Sequence, residues 1–370
     1  MKLLLFFLSL IVLVTPACKE SANDGPIIEM RLEDEDNFFK QENVISQFEA
    51  IPLSTPENVI LSNDNILKYN KDIMILIDRL HSGKVHIFNR DGSYRASISA
   101  KGRGPNEYLD MASCQLFNDC IVIYSYHKKG VLFYDYDANF ITKKGLSFTP
   151  YNLYCIEDGY WGYIGFGNGQ ISERVVKLNQ DGDIVTKILP TDANILPMTE
   201  VEDVFIPSDM GIIVRESFVN GLSLISNDIG SSFVKFNFGD YSIPSKYYNY
   251  SSPMKAAEEL FKSDFATINQ VLANNDILVV NIECHKQSEL DDEFDVLLFL
   301  KNNNWTAIKV DKNNELLYRS VKGITPNNEL ILLLNEDTVE NYSHLFKGMD
   351  IKNVKNNNVE YFIVLCKLDL

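Results

Sequence analysis

The chain is short of basic residues and of cysteines, and each shortage excludes a class of protein. It has 34 lysines and arginines against 51 aspartates and glutamates, which gives a formal net charge of −17. A surface of that sign repels phosphate backbones, so nucleic acid is not an expected partner. The cysteines show no zinc-binding spacing, and setting Cys18 aside leaves five, an odd number that excludes a complete disulfide framework. Cys114 and Cys120 either pair across a turn or stay reduced.

The N-terminal apolar run is too short to cross a bilayer as a helix. Residues 3–14 are interrupted only by Ser9, and a spanning helix needs about 20 apolar residues. A run of this length behind the positive charge of Lys2 is typical of a secretory signal. The rest of the chain has the composition of a globular protein, with 45% hydrophobic and 23% charged residues overall. We therefore expect residues 1–17 to be a signal peptide.

The residues that follow resemble the lipobox of bacterial lipoproteins. Thr15-Pro16-Ala17-Cys18 places a small residue directly before a cysteine, with Thr15 at the position where lipoproteins usually have leucine. The resemblance implies that Cys18 is the first mature residue and carries acyl chains that anchor the protein in the outer membrane. The alternative is an ordinary signal peptide followed by an incidental cysteine. Residues 18–43 read as a polar tether, and residues 44–370 as the folded domain.

That domain repeats one unit, an apolar strand followed by a tight turn and a second strand. The turns are centred on Asp91, Asp137, Asp181, Asp228 and Asn302, with spacings of 46, 44, 47 and 74 residues. Asp-Gly at the first and third turns is a strong hairpin signal, because glycine accepts the positive φ of such turns. The longest gap contains residues 251–265, the one stretch with helical periodicity. A further strand-like run precedes most hairpins, so each unit has about four strands.

A period of 40 to 50 residues with four strands is the blade of a β-propeller. The final strand-like run, at residues 361–368, has no following partner, and residues 44–53 form an unassigned strand at the other end of the domain. An unpaired edge would expose backbone donors and acceptors, so we expect the two runs to pair. Five complete hairpins and one completed in this way predict an all-β fold, a six-bladed β-propeller closed by an N-terminal strand.

Several segments resemble the six-bladed, NHL-like β-propeller lipoproteins of Bacteroidetes. The most recognisable is Lys101-Gly102-Arg103-Gly104-Pro105-Asn106-Glu107-Tyr108, and residues 51–55, 73–78 and 85–92 and the terminal run also match. The resemblance covers residues 44–370 and implies the fold and a cell-envelope location. Propellers with Trp-Asp repeats fit less well, because Trp161 and Trp305 are the only tryptophans. The family carries no assigned activity.

Two segments supply candidate binding residues. Backbone N–H groups beside Arg103, with Glu107 and Tyr108, are a candidate anion site. The alternative is a structural crossover in which Arg103 pairs with Glu107 while Tyr108 packs into the next blade. The second segment precedes the helical stretch, where exposed tyrosines are suited to stacking on sugars or docking a partner. These are Tyr241, Tyr247, Tyr248 and Tyr250.

Catalytic and metal motifs are missing from the linear sequence. The five histidines have no helical pairing and no H-E-x-x-H, and neither acidic cluster, near residues 29–36 and 289–293, has the spacing of a calcium loop. We therefore expect a binding or interaction module for a small molecule, glycan, peptide or envelope protein. A metal-dependent lyase or hydrolase with its site in the central channel is the alternative, which rests on fold analogy. The sequence does not identify a metal ion or a cofactor.

Overall fold

The computed structural model describes residues 25–30, 32, 44–165, 171–191, 203–249, 253–287, 293–302, 304–346 and 359–370. Two N-terminal strands, β1 (Ile27–Glu29) and β2 (Ile45–Leu53), come before the first complete sheet. Blade 1 then contains β3 (Ile66–Tyr69), β4 (Ile73–Asp78), β5 (Lys84–Asn89) and β6 (Tyr94–Ile98). Blade 2 contains β7 (Ser113–Phe117), β8 (Cys120–Ser125), β9 (Gly130–Tyr134) and β10 (Phe140–Gly145). Blade 3 contains β11 (Asn152–Ile156), β12 (Gly159–Tyr163), β13 (Glu173–Leu178) and β14 (Ile184–Pro190).

Blades 4 to 6 repeat this order. Blade 4 contains β15 (Phe205–Ser208), β16 (Gly211–Arg215), β17 (Gly221–Ser226) and β18 (Ile229–Asn237). After helix α1 (Pro253–Leu260), blade 5 contains β19 (Phe265–Ala273), β20 (Ile277–His285), β21 (Phe294–Lys301) and β22 (Asn304–Asp311). Blade 6 contains β23 (Val321–Ile324), β24 (Glu329–Asn335) and, after helix α2 (Glu336–Asn341), β25 (Tyr361–Leu368). The predicted six-bladed β-propeller with a short helical insertion is confirmed.

Position within a blade explains the sequence of each strand. The first strand of every blade is innermost, where it contacts its counterparts in neighbouring blades around a central channel. The second strand has a blade packed on both faces, so β4 is buried along its whole length and reads as an apolar run. The fourth strand lies at the rim, and β10 is correspondingly exposed and lysine-rich. The apolar clusters between blades form the core.

The N-terminus closes the ring. β2 pairs antiparallel with β25 from Ile45 opposite Leu368 to Leu53 opposite Tyr361, so blade 6 combines both ends of the domain. This is the predicted closure, and it removes the unpaired edge that β25 would otherwise present. β1 adds a second contact that the tether interpretation did not anticipate, because it pairs in parallel with β18 as a fifth strand of blade 4.

The predicted hairpin turns also join one blade to the next. The N–H of Ser54, just after β2, donates to Gly92 O at 3.0 Å, and the N–H of Phe148 makes the same contact with Gly182 O at 3.1 Å. Gly92 has φ of +84°, and a Cβ there would lie 2.1 Å from Pro52 O. Glycine is therefore required at this turn for two reasons, the left-handed conformation and the close approach of the preceding blade.

Both helices lie at one end of the ring, which we call the upper face. The inner strands begin at this face, α1 leads into β19 there, and α2 follows the upper end of β24. Over the described residues, none of the helices has the length and apolar composition needed to cross a bilayer.

Candidate functional site

Two chambers occupy the central channel. The upper chamber, of about 690 Å³, opens on the upper face beside blades 1, 4, 5 and 6, and the lower chamber, of about 500 Å³, is lined by all six inner strands. Leu67, Asp203 and Lys322 line both. Lys68 of blade 1 reaches Asp203, just before blade 4, with Nζ 2.7 Å from Oδ1. Blades 1 and 4 are opposite in a six-bladed ring, so this ion pair crosses the channel between the chambers.

The inner strands of blades 5 and 6 differ from the rest. In blades 1 to 4 the inner strand pairs with the second strand in continuous register. In blade 5 the pairing skips Asn269, and in blade 6 it skips Lys322. Each is the extra residue of a β-bulge, and both line the upper chamber. Bulges re-aim side chains and recur beside functional sites, so these two residues mark the wall that blades 5 and 6 form.

A polar cluster lies between blades 5 and 6 behind this wall. It is built from alternate residues on one face of β20 and β21, together with Glu293, which comes just before β21. The other residues on this face of the two strands are apolar. Its members are Asn281, Glu283, His285, Glu293 and Asp295, and Arg319 from the loop before β23 covers them. Arg319 Nη2 lies 2.7 Å from Glu283 Oε1 and 3.5 Å from Glu293 Oε2.

The remaining polar contacts of the cluster fix its orientation. His285 Nδ1 lies 2.9 Å from Glu293 Oε1, and Nε2 lies 3.0 Å from Phe261 O. The Asn281 amide donates to Asp295 Oδ2 at 3.3 Å. Burial raises the pKa of Asp295 to about 6, and the hydrogen bond from Asn281 opposes that rise. Asn281 Oδ1 is buried with no hydrogen-bond donor among the described residues, and such an acceptor favours a partner that brings one.

Aromatic rings lie directly beside the polar cluster, at its His285 end. Phe261 follows α1 and packs edge-to-face on Phe265, at 5.4 Å between ring centroids, and on His285 at 5.5 Å. Phe265 is buried, whereas Phe261 is 53% exposed at the rim. The chamber therefore presents an apolar ring next to amide and charged groups, the combination found in pockets for polar organic ligands.

The predicted anion segment belongs to the crossover between blades 1 and 2. Glu107 Oε2 accepts from the Gly104 N–H at 2.6 Å, so this carboxylate occupies a backbone donor of the segment. Tyr108 is fully buried between the two blades, and its hydroxyl donates to Gly83 O at 2.6 Å. Arg103 is exposed, and its carbonyl accepts from Lys128 Nζ.

The other predicted residues are only partly described. Tyr241 and Tyr247 are buried in the insertion before blade 5, and the Tyr247 hydroxyl donates to Glu259 O at 3.2 Å. Tyr248 lies in a short 3₁₀ helix, Ser245–Asn249. The structure describes the backbone of Tyr248 but not its side chain. Tyr250 and Cys18 lie outside the described residues.

None of the described His, Cys, Asp and Glu side chains form a group of three or more that could hold a metal ion. Cys114 and Cys120 are free thiols.

Sequence reasoning missed the wall between blades 5 and 6. A usable signal was present in Asn281, Glu283 and His285, which put a polar residue at every second position of a strand that is otherwise apolar. Such alternation inside a buried strand marks polar groups that are held between blades.

Comparison with known proteins identifies a family for the chain and solved structures with a similar fold. A family model described as a domain of unknown function, DUF4934, matches residues 26–362. The chain is similar to a structure from Bacteroides fragilis of a protein predicted to be exported, with a TM-score of 0.70 and 14% identity over 93% of this chain and 100% of that one. It is also similar to a DUF4221 family member from Bacteroides vulgatus, with a TM-score of 0.54 and 10% identity over 88% and 98% of the two chains. No curated protein matches it.

Proposed function

The chain belongs to the DUF4934 family, and we propose that it is a ligand-binding module of the cell envelope whose site is the upper chamber beside blades 5 and 6. The observation that carries this proposal is the pair of bulges at Asn269 and Lys322. They occur in the two inner strands next to the polar cluster, and they direct two polar side chains to the same wall of the chamber.

The lining of the chamber indicates the kind of ligand. Four carboxylates (Asp64, Asp203, Glu283 and Glu293) and three cations (Arg215, Arg319 and Lys322) line it, so the charges nearly balance. Amide side chains and the exposed ring of Phe261 add hydrogen-bonding groups and an apolar face. This chemistry fits a neutral or zwitterionic polar ligand, such as a glycan or a short peptide.

A thermal-shift screen against glycans, peptides and divalent metals tests the proposal, because a ligand that binds the folded state raises the unfolding temperature. We expect a hit on the unaltered chain to lose most of its shift in Asn269→Ala and Lys322→Ala. Lys187→Ala, an exposed change on the rim strand β14, is the matched control and keeps the shift. Equal shifts in all four proteins would place the ligand elsewhere.

We further propose that the module is a lipoprotein of the outer membrane, anchored through Cys18. The lipobox-like residues 15–18 support this location, as does the predicted export of the B. fragilis protein. Two or three acyl chains hold a protein on a bilayer where a single chain does not. Cys18→Ser should therefore move the protein from the membrane fraction to the soluble fraction. An unchanged membrane fraction would contradict the lipid anchor.

A further inference from the structure

The lower chamber has a different chemistry from the upper one. It is enclosed by the inner strands of all six blades, and each strand contributes to its lining an apolar residue whose side chain packs mostly between blades. These are Leu67, Leu116, Leu153, Phe205, Val271 and Ile324. A concave space of about 500 Å³ with such a lining is large enough for the apolar part of a small organic molecule.

The charges around this chamber are predominantly positive. Of the described residues that line it, four are cations (Lys68, Lys71, Arg90 and Lys322) and one is a carboxylate, Asp203. The chain as a whole has a net charge of −17, so this concentration of positive charge runs against its composition. A cleft with low-dielectric walls focuses such a potential and attracts anions.

The three other titratable groups that line the chamber add no negative charge to it, and the nearby carboxylate of Glu329, which acts electrostatically on Tyr69, lies outside the lining. Burial raises the pKa of the Cys114 thiol to about 12, and it raises the pKa of Tyr69 and of Tyr154 to about 12 as well. All three therefore stay protonated and uncharged at neutral pH. The chamber keeps its positive character across the physiological range.

The positions of the cations indicate how a ligand would lie. Lys68 is at the upper end, paired with Asp203. Arg90 and Lys71 are at the lower mouth, where the Arg90 guanidinium lies 5.3 Å from the centroid of the Tyr69 ring. The Tyr69 hydroxyl donates to Ile324 O, which joins blades 1 and 6 and fixes the ring. An anionic group at this mouth meets Arg90 and Lys71, and an apolar body attached to it extends upward between the inner strands.

We propose that the lower chamber binds an amphipathic carboxylate, with its carboxylate at Arg90 and Lys71 and its apolar body among the inner-strand side chains. Guanidinium groups pair with carboxylates through charge-assisted hydrogen bonds, and the apolar walls supply the burial energy. The Lys68–Asp203 ion pair separates this site from the upper chamber. Lys322 lines both chambers, so the test of this proposal uses Arg90 and Lys71, which line only the lower one.

Isothermal titration calorimetry of the complete folded domain with three eight-carbon probes tests the head-group requirement. We expect octanoate to bind, 1-octanol to bind at least about 10-fold more weakly, and octyltrimethylammonium to show no binding. The affinity for octanoate should fall as salt is raised. Equal binding of octanoate and octanol, or no binding of octanoate at millimolar concentration, would overturn the proposal.

Two variants place the ligand in the chamber. The double change Arg90→Gln and Lys71→Gln should weaken octanoate about 10-fold or more, whereas Lys187→Gln, an exposed lysine on the rim of blade 3, leaves it unchanged. Ala273→Phe should abolish binding by filling the chamber, which Ala273 lines. Unchanged octanoate affinity in the double variant would overturn the proposal even if Ala273→Phe failed to fold.

Discussion

Blades 1 to 4 and blades 5 and 6 share one sheet topology but differ in regularity. The inner strands of the first four blades pair without interruption, whereas those of the last two are bulged at Asn269 and Lys322. Each bulge leaves one residue outside the ladder, and a polar cluster lies beside it. Ring closure therefore depends on blades of equivalent shape. The candidate site lies at blades 5 and 6, whose inner strands depart from the common pattern.

Removing β2 should have the largest effect, because it takes one strand from an irregular blade that contains both ends of the domain. A chain that begins at residue 55 loses the whole pairing between β2 and β25. It exposes a long apolar edge, so we expect aggregation and no cooperative melting transition in circular dichroism.

The matched control for this deletion is a chain that begins at residue 44. It keeps β2 and loses β1, the three-residue fifth strand of blade 4, together with the buried side chains of Met30 and Leu32. We expect it to remain monomeric in size-exclusion chromatography, with a cooperative transition at a lower melting temperature. A monomeric chain from residue 55 that melts like this control would show that blade 6 does not need its outer strand.

Gly92→Val tests the regular part of the ring and should have the next largest effect. A side chain at this position meets both a φ of +84° and the carbonyl of Pro52 at 2.1 Å from its Cβ. We expect the free energy of unfolding in urea to fall by about 3 kcal/mol or more. Gly145→Ala is the control, because no atom lies within 4 Å of the added Cβ, and it should change stability by less than about 1 kcal/mol. Equal losses would mean that contact between blades does not constrain the turn.

The smallest predicted effects concern pH. They sharpen the comparison because His86 in blade 1 and Asp295 in blade 5 are both buried and respond to pH in opposite directions. Burial lowers the pKa of His86 in blade 1 to about 4, with Lys84 lowering it further and Asp78 opposing. The folded state then binds fewer protons than the unfolded state between about pH 4 and 6.5, so His86 should reduce stability as pH falls through that window. Asp295 in blade 5, with its pKa raised to about 6, is protonated when folded and ionised when unfolded, so it should reduce stability as pH rises from about 4 to 6.

Urea titrations at several pH values separate the two groups. His86→Leu should flatten the loss on the acid side, and Asp295→Asn should flatten the loss that accompanies rising pH, each by about 2 kcal/mol. Curves of the same shape in the unaltered protein and both variants would contradict these assignments. A variant that merely destabilises the fold lowers the whole curve without changing its slope.

Much of the fold could be predicted from the sequence because it depends on local patterns. The Asp-Gly turn at Gly92 predicts a hairpin, and the apolar run of β4 predicts a buried strand, each from neighbouring residues alone. The two strands without partners, at the two ends of the domain, predict that they pair with each other. β1 escaped prediction because three residues in a polar segment carry no periodicity.

The candidate site was harder to predict for a physical reason. A bulge is a property of the register between two strands, so Asn269 and Lys322 look like ordinary strand residues in the sequence. The cluster around Asn281 is assembled from separate strands and from the loop that carries Arg319. Aromatic content pointed to Tyr247, yet that ring is buried against the insertion.

The construction of blade 6 also governs the order of events in folding. β2 is synthesised before blades 1 to 5, yet its partner β25 follows all of them, and the paired residues Leu53 and Tyr361 are 308 positions apart in the sequence (361 − 53). Bringing such distant segments together carries a loop-closure entropy cost, and folds dominated by long-range pairing form slowly. The first strand of this ring therefore stays without its partner until the strands of all the blades between them have been synthesised.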